Sequence, residues 1–280
     1  MSSTSDRKEL LPFLSLSAFL LLLIPFLLMS EMFYGKGSGR QGMAETPKML
    51  DRTLAELKDT QDVRQKKLGF FALLKPMVLL ENSYILEQRR WIEALNLSQL
   101  TPVQSSQLNS ILINYRLMDG SDSLPSDVSA LRALVSRLLI RVQPVPVELV
   151  LVQAANESAW GRSRFAREGN NLFGQWCFSK GCGLVPNQRS EGAYHEVAVF
   201  KSPQLSIRAY LKNLNSFWAY EDFRQARAAE PELKGARLAI YLAEHLKRYS
   251  QRGQAYVDEL KEMVQVNADL IEQAPDEYLR

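Results

Sequence analysis

The chain has 280 residues, of which 46% are hydrophobic and 23% are charged, and its formal net charge is +3. This length suffices for one substantial hydrophobic core with additional segments. The mild positive charge is not concentrated in a basic patch with aromatic side chains for base stacking, which argues against nucleic-acid binding. The two histidines, His195 and His245, lack metal-ligand spacing, and no CxxC or HExxH pattern occurs, so we expect no metal and no cofactor.

The first predicted element is an apolar helix over residues 10–29. This stretch, LLPFLSLSAFLLLLIPFLLM, contains no charged residue and is long enough to cross a bilayer as a helix. A cleavable signal usually has a shorter apolar core and a small-residue cleavage site, and the following residues show no convincing site. The sequence therefore predicts an uncleaved, single-pass membrane anchor, preceded by a short tail over residues 1–9.

A linker and a helical region follow the anchor. Residues 30–50 are rich in glycine and polar side chains and predict a flexible linker. Residues 51–125 have a helical pattern, in which the run 68–80 is strongly apolar. Lys75 and Pro76 interrupt that run, which is too short to span a membrane. We expect it to form a buried, kinked helix, whereas the role of the whole region is open.

The most informative segment, VELVLVQAANESAWGRSRFAREGNNLFG, occupies residues 147–174. Its apolar spacing predicts a helix over residues 147–160, with Glu157 in the last turn on the same face as Val150 and Ala154. These neighbours cannot hydrate a carboxylate, and the negative end of the helix dipole disfavours an anion, so both raise the pKa of Glu157. A glycosidic general acid requires such a raised pKa. A solvated or salt-bridged glutamate is the alternative interpretation.

The string AANESAWGRSRFA, followed by NNLFG, resembles the glucosaminidase family that cleaves bacterial cell-wall glycan, within the lysozyme-like superfamily. The run RVQPVPVELVLVQAANESAWG and the later WCFSKGCGLVP resemble the Bax-type glucosaminidase-like proteins of Gram-negative bacteria. The resemblance covers about residues 126–268. It implies a mainly α protein with a lysozyme-like α+β catalytic domain over residues 126–275, a small β-hairpin lobe, and Glu157 as the catalytic acid.

The family places a second acidic residue in a β-rich lobe after the NNLFG segment. Here the corresponding stretch predicts a turn at residues 189–192 and a strand over residues 193–200. Glu191 in the turn is the first candidate, because a turn can swing over a cleft, and Glu196 in the strand is the second. Both could instead be ordinary hairpin charges. The substrate's own acetamido group could then replace a second carboxylate, which leaves a retaining or an inverting outcome open.

Aromatic and amide side chains around the predicted groove suit a sugar ligand. The candidates for substrate binding are Trp160, Asn171, Phe173, Trp176 and Tyr249. Amphipathic rings can pack on sugar faces while their polar edges stay hydrated, although core packing is the alternative for each ring. Asn171 offers amide donors and acceptors. The segment KRYSQRGQAY resembles the family's C-terminal tyrosine motif, which implies that Tyr249 and its partner Tyr256 lie near the cleft.

The only two cysteines, Cys177 and Cys182, lie close together in a loop-rich segment. An even, close pair in an exported chain predicts a disulfide, with two free buried thiols as the alternative. Together with the cell-wall substrate that the resemblance implies, the pair predicts a periplasmic catalytic domain that residues 10–29 anchor to the inner membrane.

The predicted function is hydrolysis of the β-1,4 bond after N-acetylglucosamine in peptidoglycan, so the expected partner is the glycan strand. A lytic transglycosylase also uses one acidic glutamate and is the first alternative. The second alternative is a non-catalytic protein on a degenerate glucosaminidase fold that binds the wall or a protein partner.

Overall fold

The computed structural model describes residues 62–186 and 195–277. The predicted anchor and linker, and the turn that carries Glu191, lie outside these ranges. The described residues are mostly helical, with a small sheet, as the sequence predicts. The helices are α1 (Val63–Glu93), α2 (Pro102–Asn114), α3 (Val128–Arg141), α4 (Val147–Ser158), α5 (Arg164–Gly169), α6 (Pro203–Ser216), α7 (Glu221–Ala229), α8 (Gly235–Ala243) and α9 (Gln254–Gln273), with short 3-10 turns at Trp218–Tyr220 and Glu244–Leu246.

Helix α1 contains the apolar run that the sequence assigns to a buried helix. Asp62 caps it by accepting a hydrogen bond from the backbone N–H of Arg64 at 2.8 Å. The helix continues through Pro76, and Phe70 and Phe71 are buried within it. Its length and composition would allow it to cross a membrane, but 56% of its apolar window is buried inside the protein. This burial agrees with the predicted core helix.

Helix α4 lies at the centre of the fold, against α1, α8 and α9. The four residues Leu149 to Val152 are all buried, so the helix is surrounded by protein on every side at this level. A helix that is apolar all round belongs in a core. The packing therefore fixes α4 firmly and determines where its C-terminal end, with Glu157, meets the surface.

The small sheet consists of β1 (Trp176–Cys177), β2 (Gly183–Leu184) and β3 (Glu196–Ala198), in the antiparallel order β1-β3-β2. The predicted disulfide between Cys177 and Cys182 is present and closes the loop that joins β1 to β2. Gly183 is required at the β2–β3 pair, because an added Cβ would lie 2.0 Å from the carbonyl oxygen of Val197. Of the predicted strand 193–200, the described residues 195–200 form a strand only over β3.

Buried arginines bind the carbonyl groups at the ends of several helices. Arg224, fully buried, donates to the carbonyl oxygens of Leu214 at 2.9 Å and Phe217 at 2.8 Å, at the end of α6. Arg227 donates to the carbonyls of Ile140 and Gln143 at 3.2 Å, at the end of α3. A cation near a helix C-terminus satisfies orphan carbonyls and is favoured by the helix dipole. These contacts hold α3 and α6 in place beside α7.

Candidate active site

Glu157 lies in the last turn of α4, where the helix ends abruptly. The helix ends at Ser158, two residues before the predicted end, because Ala159 and Trp160 both adopt left-handed backbone conformations with φ of 52° and 59°. Ser158 stabilises this end by accepting a hydrogen bond from the N–H of Gly161 at 2.7 Å. After Ser158 the chain turns away from the helix axis. The side chain of Glu157 is half-buried at this end of the central helix.

The pKa of Glu157 is raised, as its position in the sequence predicts. Burial is the largest cause, and the negative charge of Glu259 raises the pKa further. A hydrogen bond from the hydroxyl of Tyr256 and the positive charge of Arg252 oppose this shift. Because burial dominates, the site favours a protonated carboxyl that can donate its proton.

A directed chain of hydrogen bonds ends at Glu157. The hydroxyl of Tyr210 donates to the side-chain oxygen of Gln153, which is fully buried one turn before Glu157 on α4. The amide nitrogen of Gln153 donates to the hydroxyl of Tyr256 at 2.9 Å, and Tyr256 in turn donates to Glu157. Burial and the neighbouring Glu157 raise the pKa of Tyr256, so its hydroxyl keeps its proton. The chain thus presents a permanent donor to the carboxyl group.

Four tyrosines interact electrostatically with Glu157, and we call them the tyrosine cluster: Tyr210, Tyr220, Tyr249 and Tyr256. The charge of Glu157 raises the pKa of each of them. The rings of Tyr249 and Tyr256 are parallel with centroids 5.6 Å apart, and Tyr220 lies 6.2 Å from Tyr249. Tyr210, Tyr220 and Tyr256 are buried, so the cluster packs the acid against the core and places phenolic hydroxyls near it.

The NNLFG turn also lies next to the acid. An added Cβ at Gly174, which has a φ of +64°, would lie 3.9 Å from a carboxyl oxygen of Glu157. Phe173 is buried, stacks on Tyr210 with centroids 4.0 Å apart, and accepts a hydrogen bond at its carbonyl from Tyr249 at 3.0 Å. The turn and the tyrosine cluster are therefore fixed to each other.

Asn171 holds this turn together from inside. Its amide nitrogen donates to the carbonyls of Gln175 and Ala198 at 2.9 Å, and its oxygen accepts from the N–H of Gln175 at 3.0 Å. Each contact joins the turn to itself or to β3. The sequence predicts a sugar-binding amide here, whereas the structure uses both amide atoms for backbone contacts.

The two predicted tryptophans lie in different surroundings. Trp160 contacts Phe70 and Phe71 of α1 edge to face, with ring centroids 5.5 Å apart in both pairs. Trp176 is 58% exposed and stacks on His195 at 4.3 Å. The ring of Trp160 thus packs in part against α1. Trp176, two residues after Gly174, exposes its ring to solvent on the small sheet.

Glu196, the second candidate for a catalytic carboxylate, is buried in β3. Its two oxygens accept hydrogen bonds from the N–H of Gly181 at 2.9 Å and of Gly183 at 2.8 Å. These bonds hold the loop that the disulfide closes. The sulfur atoms of Cys177 and Cys182 lie near the same carboxylate, but both belong to the disulfide, so the group does not offer free thiolates to a metal. Glu191 lies outside the described residues.

Sequence reasoning missed Glu259, a carboxylate that interacts electrostatically with Glu157. It accepts hydrogen bonds from Arg252 at 2.7 Å and from Asn156, the residue before Glu157, at 3.4 Å. The spacing of Tyr256 and Glu259 on a helix places them on one face, which is the signal that the sequence offered. Their shared face packs α9 against the end of α4.

A separate cavity of about 880 Å³ lies at the other end of α4, lined in part by Pro146 and Glu148. Glu148 and Glu157 are nine residues apart, which separates them by roughly 13 Å along the helix axis. The cavity is therefore distinct from the surroundings of Glu157.

A mainly helical domain with a small antiparallel sheet and a shielded carboxyl at the end of its central helix has the features of a glycan hydrolase. The family described as mannosyl-glycoprotein endo-beta-N-acetylglucosaminidase matches residues 136–269. The chain is 30% identical over 220 residues to the protein bax of Escherichia coli (strain K12), which covers 78% of this chain and 76% of that protein. No solved structure matches. The chain belongs to the Bax-type glucosaminidase-like proteins.

Proposed function

We propose that this protein hydrolyses the β-1,4 bond after N-acetylglucosamine in peptidoglycan, with Glu157 as the general acid. The observation that carries the proposal is the raised pKa of Glu157 at the end of α4, within a matched glucosaminidase domain. A carboxyl with a raised pKa keeps its proton to higher pH and can protonate the glycosidic oxygen as the bond breaks. The exposed ring of Trp176 would flank the sugar, and the largely buried tyrosine cluster would hold the acid in place.

The hydrogen bond from Tyr256 supports this role at the moment of proton transfer. A hydroxyl donates more strongly to a carboxylate than to a neutral carboxyl. Tyr256 therefore stabilises Glu157 after its proton has left, while burial keeps the proton in place beforehand. The two effects together match the requirements of an acid that must first hold and then release one proton.

The second group in the mechanism comes from Glu191 or from the substrate's acetamido oxygen. We assign Glu196 a structural role, because its oxygens accept backbone hydrogen bonds within the disulfide loop. An acetamido oxygen attacking the anomeric carbon would need only one protein carboxyl, Glu157. Glu191→Gln separates the two routes: loss of turnover assigns Glu191, and normal turnover assigns the acetamido group.

We further propose that residues 10–29 anchor the protein to the inner membrane, with the catalytic domain in the periplasm. The disulfide between Cys177 and Cys182 supports an oxidising compartment. Protease treatment of spheroplasts tests this placement. Degradation of the domain without lysis is expected, and protection until lysis would contradict the proposal.

Digestion of purified sacculi with the full-length protein tests the proposed reaction. Mass spectrometry of the released fragments is expected to show new reducing N-acetylglucosamine ends. Anhydro-muramyl ends would show a lytic transglycosylase instead. Retained sacculus binding without any release, across a range of pH, would show a non-catalytic wall-binding protein.

The rate of digestion is expected to fall as the pH rises through the raised pKa of Glu157, because only the protonated form can act as the acid. Glu259→Gln removes a negative charge that raises this pKa and should move the fall to lower pH. Arg252→Gln removes a positive charge that lowers it and should move the fall to higher pH.

The pH profile of digestion by each variant gives the measurement. Glu262→Gln, which alters an exposed glutamate on the same helix α9, is the matched control and should leave the profile unchanged. Shifts of Glu259→Gln and Arg252→Gln in the same direction would contradict the electrostatic explanation.

A further inference from the structure

Trp218 is exposed in a way that packing does not explain. Its indole is 67% exposed at the start of the 3-10 turn between α6 and α7. Tryptophan is on average a strongly buried residue, since its ring carries a large apolar area. The ring of Phe217 lies 5.5 Å away and is tilted by 47° to the indole. An indole with this exposure offers apolar ring surface to a ligand.

The turn that carries Trp218 adjoins the surroundings of Glu157. Tyr220 belongs to the same 3-10 turn and to the tyrosine cluster, where its ring lies 6.2 Å from Tyr249. Arg224 fixes the turn by donating to the carbonyl of Phe217 at 2.8 Å. Trp218 is therefore held in a fixed position next to the tyrosine cluster.

A guanidinium group accompanies the exposed ring. The side chain of Arg248 lies over the indole of Trp218, 5.6 Å from its centroid. Arg248 directly precedes Tyr249 in the chain, so it too is attached to the tyrosine cluster. Within residues 62–186 and 195–277, no carboxylate forms an ion pair with Arg248. A guanidinium that is exposed and positioned by a ring is well suited to bind a carboxylate.

We propose that Trp218 and Arg248 form an accessory subsite for glycan strands that carry acidic peptide stems. This inference rests on the proposed function, and it adds that the protein distinguishes between peptidoglycan strands with and without peptide stems. Trp218 packs on a sugar face of the strand beyond the cleaved bond, and Arg248 pairs with a carboxylate of the stem. The pair thus makes the protein prefer peptide-bearing glycan over bare glycan.

The test compares two substrates with the full-length protein: peptidoglycan strands with intact stems, and the same strands after an amidase has removed the stems. Trp218→Ala is expected to weaken binding to both substrates about tenfold, since it removes the ring. Trp218→Phe keeps a ring and should restore much of the binding. Arg248→Gln should weaken binding only to the strands with stems and remove the preference.

Arg132→Gln, which changes an exposed arginine on α3, serves as the control and should bind both substrates normally. Binding is measured by sedimentation, and turnover is measured separately. Wild-type protein that binds with the stem preference but cleaves nothing would contradict the proposed hydrolysis and support the subsite. Wild-type binding by Trp218→Ala, or equal losses on both substrates for Arg248→Gln, would overturn the subsite.

Discussion

Glu157→Gln is expected to lower the rate of sacculus digestion by about 100- to 10,000-fold, the usual contribution of a general acid. The amide has nearly the shape of the carboxyl, and its oxygen can still accept the hydrogen bond from Tyr256. It cannot donate a proton to the glycosidic oxygen. The loss should therefore appear in kcat, while sacculus binding stays close to that of the wild-type protein.

Glu148→Gln is the matched control for this variant. Glu148 lies on the same helix α4, in its first turn, far from the acid. It should digest sacculi at the wild-type rate. The thermal midpoint of Glu157→Gln should equal or exceed that of the wild-type protein above the unfolded-state pKa of the glutamate, since a neutral amide avoids the cost of burying or protonating the carboxylate on folding. Normal digestion by Glu157→Gln would show that another residue is the acid.

The sequence was sufficient to predict the helix of Glu157 and the direction of its pKa shift, because both depend on local spacing. Ala154 and Val150 lie one and two turns away on the same chain segment, so helical periodicity alone indicates an apolar environment. The end of the helix was less predictable. Gly161 suits a helix end because glycine adopts positive φ easily. The chain nevertheless leaves the helix earlier, at Ala159, which has a φ of 52° although it is not a glycine.

The partners of Glu157 could not be predicted from spacing, because they come from distant parts of the chain. Gln153 and Tyr256 are 103 residues apart and meet only when α9 packs on α4. Glu259 joins the site by the same packing. For Trp160, the sequence predicted a position in the sugar groove because the residue lies close after Glu157. The structure instead packs its ring against α1, and that contact depends on tertiary structure.

Trp218 had no sequence signal at all. It belongs to no recognised motif, and its 3-10 turn follows α6 without a glycine or proline to mark it. Its exposure becomes visible only in the folded chain. Its position depends on Arg224, which connects the turn to the end of α6.

Arg224→Met is expected to destabilise the protein by about 3 kcal/mol, because the substitution leaves the buried carbonyls of Leu214 and Phe217 without a donor. It also breaks the ion pair with Glu221. Methionine fills much of the same volume, so the loss reflects missing hydrogen bonds more than a cavity. The thermal midpoint should fall by roughly 10 °C, which calorimetry or circular dichroism can measure.

Arg132→Met provides the comparison, since it replaces an exposed arginine and should change the stability by less than about 0.5 kcal/mol. Burying a guanidinium also carries a desolvation cost, and where that cost balances the hydrogen bonds, methionine is tolerated. An unchanged midpoint for Arg224→Met would therefore show that this arginine does not stabilise the fold. If the stabilisation is real, hydrogen exchange should also quicken at residues 217–220, because the turn that bears Trp218 and Tyr220 loses its attachment to α6 and α7.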